Sequence, residues 1–129
     1  MHSQSPGLTI DDHQEDGHCS LVLSGELDFV KASALDARLD GLFSDGTDSL
    51  MLDLSDVKLI DATGLRSVLA LWRLCHNSGH ELTILPGPPQ VQRVFEVCGL
   101  LERLPFLGGT IDEETTRLNL GRSEARKPD

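Results

Sequence analysis

The stretch SLMLDLSDVKLIDATGLRSVLALWRL, from Ser49 to Leu74, decides how this chain folds. Its first half predicts a buried strand. Leu50, Leu52 and Leu54 alternate with Met51, Asp53 and Ser55, and most of the run is apolar. Its second half predicts an amphipathic helix. Leu65, Val68, Leu69 and Trp72 recur at spacings of three and four, and Leu71 and Cys75 widen the stripe. Between the two lies the turn Asp61-Ala62-Thr63-Gly64, with Thr63 expected as the helix N-cap, a position that favours Thr. A hydroxyl there stands at the mouth of a helix, near unpaired N–H groups and the positive end of the dipole. It can be presented to solvent or to another protein.

Working back toward the N-terminus, Cys19 to Leu27 predicts a strand centred on Leu21, Val22 and Leu23. Leu8 to Ile10 predicts a short one, and the turn-rich DDHQEDG between them suggests a hairpin. Asp28 is placed to cap a helix from Phe29 to Phe43, with Ala32, Leu35, Leu39, Leu42 and Phe43 facing inward. Working forward, Asn77, Ser78 and Gly79 end the long helix, and Glu81 to Leu85 predicts another strand. Pro86-Gly87-Pro88-Pro89 stiffens the connection to a helix lined by Val91, Val94, Phe95 and Cys98, which Gly99 terminates. Leu104 to Leu107 reads as a last short strand.

The expected fold class is therefore α/β. It is one domain built on a mostly parallel sheet of four to five strands, covered by three or four helices. Residues 1–7 read as a frayed N-terminus, 8–107 as the domain, and 108–129 as a weakly structured C-terminal segment with a weak helix over Glu113 to Leu120.

The totals narrow the function. The chain has 129 residues and a formal net charge of -10, so it offers no basic excess for nucleic acid or for an anionic membrane surface. Met1 to Asp28 holds six acids and no Lys or Arg, which fits either solubility or a basic partner. No apolar run approaches the length of about 18 residues that a membrane span requires. Cys19, Cys75 and Cys98 are odd in number and unpaired in spacing, which points to a reducing cytoplasm. Cys75, His76 and His80 have partial metal-ligand spacing, but Ser78-Gly79 breaks the helix between the histidines, so neither a metal nor another cofactor is expected. No Ser-His-Asp or Cys-His arrangement has supporting context, so no catalytic residue is assigned and the chain is not expected to be an enzyme.

Two motifs in order carry a family resemblance. Ser24-Gly25-Glu26-Leu27-Asp28 leads into a helix. Leu52-Asp53-Leu54-Ser55-Asp56-Val57 is followed by Ile60-Asp61-Ala62-Thr63-Gly64-Leu65, with Gly99-Leu100 later. Together they resemble the STAS domain of anti-sigma factor antagonists, over about Leu8 to Leu107. The resemblance implies that Thr63 is a phosphoacceptor. It implies that the unmodified protein binds an anti-sigma factor that is also a Ser/Thr protein kinase, and so frees a sigma factor for transcription. Phosphorylation of Thr63 would end that binding and a protein phosphatase would restore it, a partner-switching cycle. Asp28, Asp61, Ala62, Gly64, Leu65 and Arg66 would form the surface that meets the partner or kinase. A monomer or weak dimer is expected. Ala62 and Thr63 stand where many members carry Ser. The alternatives are a STAS scaffold protein in a stress-sensing signalling complex, the STAS domain of an anion transporter, and a small α/β enzyme.

Overall fold

The computed structural model describes residues 2–5, 7–29, 31–42 and 46–108. The elements are β1 (His2–Ser5), β2 (Leu8–Glu15), β3 (His18–Leu27), α1 (Ala32–Leu42), β4 (Ser49–Ile60), α2 (Ala62–Ser78), β5 (Glu81–Leu85) and α3 (Pro89–Val97). The strands form one sheet in the order β1-β2-β3-β4-β5. Across β2 to β5 two of the three junctions are parallel, β3 with β4 and β4 with β5. The β2–β3 hairpin is antiparallel, and β1 adds a second antiparallel junction at the edge. The expected α/β class therefore holds, with a mixed sheet and three helices among the described residues.

The register explains the core. Cys19 lies opposite Leu50 and Leu21 opposite Leu52, while Leu50 and Leu52 face Leu82 and Ile84 on the other side. Across the hairpin, Leu23 pairs with Ile10. Alternate residues thus point to one face, and there they join a single apolar cluster with Leu35 and Leu39 of α1, Leu65, Val68 and Leu71 of α2, and Val91 and Phe95 of α3. On the other face Ser20, Val22, Met51, Asp53 and Thr83 stay partly exposed.

Several expectations shift. His2–Ser5, expected to be frayed, pairs with Leu8–Asp11 as β1, because a strand edge recruits backbone hydrogen bonds whatever the side-chain pattern. The turn-rich segment is mostly strand: β2 runs through Glu15, and only Asp16-Gly17 turns, both with positive φ (53° and 82°), as a two-residue hairpin requires. Helix α1 starts at Ala32 rather than Phe29; its predicted inner residues Ala32, Leu35 and Leu39 are buried. Phe43 lies outside the described residues, as does the segment 109–129 with its expected helix. Helix α3 stops at Val97, so Cys98 is exposed at its end rather than packed on its apolar face. Trp72 sits at the flank of α2, partly buried, with its ring centroid 6.4 Å from that of His76. The expected last strand is reduced to one parallel bridge, Ile84 with Phe106.

Candidate functional site

Strand β4 prepares the site by breaking its own rhythm. From Ser49 to Leu54 every second residue is buried; beyond that the buried residues are Val57 and Ile60, three apart. The pairing with β3 slips twice, between Val22 and Ser24 and between Gly25 and Glu26. Each slip gives β4 an extra residue, which bends and twists it. Leu59 is thereby turned outward, 49% exposed, while Ile60 returns to the core opposite Leu27.

The next residue leaves the sheet. The Asp61 N–H donates to the Leu27 carbonyl at 3.3 Å, and α2 begins at Ala62. The N-cap is Asp61, not Thr63 as expected: its Oδ1 accepts the Gly64 N–H at 2.9 Å, and its carbonyl accepts the Leu65 N–H at 2.9 Å. The reason is where the strand ends. Asp61 is the first residue past the last sheet pair, it is extended (φ -111°, ψ -173°), and a carboxylate there reaches the third helical N–H. Thr63 becomes the second residue of the helix, partly exposed. Two orphan N–H groups and the positive end of a 17-residue helix lie beside it.

The other predicted residues divide into two groups. Ala62 and Arg66 are exposed, and Asp28 and Asp61 are partly exposed. Gly64 and Leu65 are buried and belong to the interior. The use expected for Gly64, close approach by a partner, is replaced by an internal one: a Cβ there would lie 2.1 Å from the Leu27 carbonyl oxygen and 3.0 Å from Ile60 Cγ1. Leu65 joins the apolar cluster.

Asp28 caps a turn rather than the helix proper. Its Oδ1 accepts the Lys31 N–H at 3.2 Å, and its carbonyl accepts the N–H groups of Lys31 and Ala32 at 3.1 and 2.8 Å. The Lys31 ammonium lies 2.8 Å from Glu26 Oε1 and 3.1 Å from Asp28 Oδ2. Those carboxylates, Glu26 first, hold the Lys31 pKa above its ordinary value.

Phe29 is the residue the sequence did not single out. It is 74% exposed, and its N–H donates to Asp61 Oδ2 at 3.0 Å. Three residues ahead of Ala32, it falls in phase with a buried helical stripe, and only the late start of α1 leaves it on the loop. The one Asp61 carboxylate therefore joins two things: the mouth of α2, through Gly64, and the loop after β3, through Phe29. A groove of about 680 Å³ at the β4 slips, lined by Thr9, Ser24, Ser55, Asp56, Lys58 and Gln90 among others, contains none of these residues. The arrangement can present a hydroxyl among acids and apolar groups to another protein.

Comparison with known proteins agrees with this fold. The family model described as "Mlab, STAS domain" matches residues 10–108. An anti-sigma-B factor antagonist of Staphylococcus aureus is 28% identical over 103 residues, covering 80% of this chain and 95% of that one. The crystal structure of an anti-sigma factor antagonist from Mycobacterium paratuberculosis superposes with a TM-score of 0.72 at 25% identity, covering 88% of this chain and 96% of that one. The Bacillus cell fate determinant SpoIIAA, in its phosphorylated form, shares the fold at 19% identity and a TM-score of 0.62, covering 84% of this chain and 98% of its own.

Proposed function

The chain belongs to the STAS domain family, and from that membership we propose that it is an anti-sigma factor antagonist switched by phosphorylation of Thr63. In its unmodified form it binds an anti-sigma factor, itself a Ser/Thr protein kinase of the cytoplasm, and so releases a sigma factor. Phosphate on Thr63 ends the binding, and a phosphatase restores it. The protein acts as a binding module and carries out no chemistry of its own. The observation that supports this most is the place of Thr63: partly exposed, second in a helix capped by Asp61, with Ala62 and Arg66 open to solvent beside it.

The switch follows from electrostatics. A phosphate adds about -1.5 to -2 charge at neutral pH. The helix mouth tolerates an anion, so the domain stays folded. The partner does not tolerate it. A surface fitted to a neutral hydroxyl beside the Asp61 carboxylate would meet a desolvated extra charge. Losing about 100-fold in affinity takes only about 2.7 kcal/mol, within the reach of one such charge. The test is calorimetric titration against the purified anti-sigma factor kinases of the source organism. Thr63→Glu is expected to lose binding and Thr63→Ala to keep it. Equal binding by both variants would remove the switch.

A further inference from the structure

We propose that Phe29 is the apolar anchor with which this protein docks on its anti-sigma factor, and that Asp61 is the residue that positions it; this deepens the function proposed above and rests on it. Phe95 is fully buried and Phe106 packs against the core, with their rings 5.1 Å apart. Phe29 is 74% exposed instead. Leaving a large ring in water forgoes the burial that stabilises the other two. The backbone bonds on either side of it are made. The Phe29 N–H is bonded to Asp61 Oδ2, the next turn closes on the Asp28 carbonyl, and Lys31 is pinned between Glu26 and Asp28. The backbone that carries the ring is tied down, and the ring stands in solvent.

It stands beside the turn of the phosphoacceptor. Asp61 accepts the backbone N–H of Phe29 on one oxygen and that of Gly64, the neighbour of Thr63, on the other, so the backbone beneath the ring and the turn that carries the hydroxyl are tied to one carboxylate. Exposed Ala62 and half-exposed Leu59 lie on the same stretch of chain. Protein interfaces concentrate their energy in such central aromatic residues, surrounded by polar groups.

The charges around the ring say what fits over it. Glu26, Asp28 and Asp61 lie nearby in chain or by hydrogen bond, and Lys31 is already engaged by two of them, in a protein of net charge -10. The occupant is a face of the anti-sigma factor with an apolar pocket for an aromatic ring, a basic rim, and an adjoining cleft that admits only an uncharged hydroxyl.

The experiment uses the full chain and the purified anti-sigma factor kinase. Binding is measured by calorimetry, and Thr63 phosphorylation by steady-state kinetics. Phe29→Ala is expected to weaken binding by about 30-fold or more, as truncating an interface anchor does. It should raise KM for phosphorylation while leaving kcat and the melting temperature near their original values. Phe29→Leu should recover most of the loss, and Val97→Ala, a comparably exposed apolar residue at the end of α3, should change nothing. Asp61→Ala combined with Phe29→Ala should lose less than the sum of the two single losses, because part of what Asp61 contributes runs through the ring. If Phe29→Ala binds within about twofold of the original while Thr63→Glu does not bind, the anchor is refuted and the phosphorylation switch stands. Additive losses in the double variant refute the positioning role. An original chain that neither binds nor is phosphorylated removes the function, and the anchor with it.

Discussion

Gly64 has no room for a methyl group. Helix propensity alone would favour Ala there by up to about 1 kcal/mol. The added carbon would lie 2.1 Å from the backbone oxygen of Leu27, which cannot swing aside as a side chain could. Overpacking of this kind costs about 1–3 kcal/mol, so the clash wins. Gly64→Ala should lower the urea midpoint, and an unchanged midpoint would show that β3 yields. Asp61→Ala should cost about 1–2 kcal/mol through the lost cap. It also strips the Phe29 N–H of its acceptor. At this scale the sequence displayed the residues but not their division of labour. Asp61 and Thr63 are both good caps, and propensity does not rank them two positions apart. The end of β4 does, by making Asp61 the first residue beyond the sheet.

Among the elements, β4, α2 and β5 were legible because their apolar spacing is strong. Strand β2 was not. Its core-facing positions past Ile10 are Asp12 and Gln14, opposite Leu21 and Cys19, and the apolar alternation stops there. Both are satisfied by side chains from elsewhere: Asp12 by Arg38 of α1 at 2.6 Å, and Gln14 by the buried Thr47 at 3.1 Å. Pairings between residues distant in sequence leave no local pattern. The end of α3 makes a prediction about the thiols. Cys19 and Cys75 are buried, and burial pushes the Cys75 pKa up to about 11; Cys98 lies exposed beyond the helix. A thiol reagent at pH near 8 should therefore modify one of the three cysteines promptly and the other two only on unfolding. Prompt reaction at Cys75 would contradict the packing of α2.

For the whole molecule, the pH dependence of stability should carry the mark of the ion pair under α1. Burial pushes the Asp12 pKa up, but hydrogen bonds and nearby positive charge, Arg38's among them, outweigh it and hold the carboxyl below 3.8. A carboxylate with a depressed folded pKa stabilises the fold at pH above its unfolded value, and that stabilisation disappears as pH falls through the folded value. Arg38→Met should thus destabilise the protein by about 1–3 kcal/mol near neutrality, the cost of a partner lost from a mostly buried charge. The gap between the two melting curves should narrow below pH 3.8. A gap that stays constant into acid would show that Arg38 contributes by packing alone.

The strand order along the sheet is the strand order along the chain, and Phe106 continues the progression beyond β5. No strand has to be threaded between two that are already joined. A ribosome releasing this protein from its N-terminus can therefore let each new strand settle against the one made just before it. Accretion in one direction is open to this topology, whereas sheets whose middle strand is made last must wait for the entire chain.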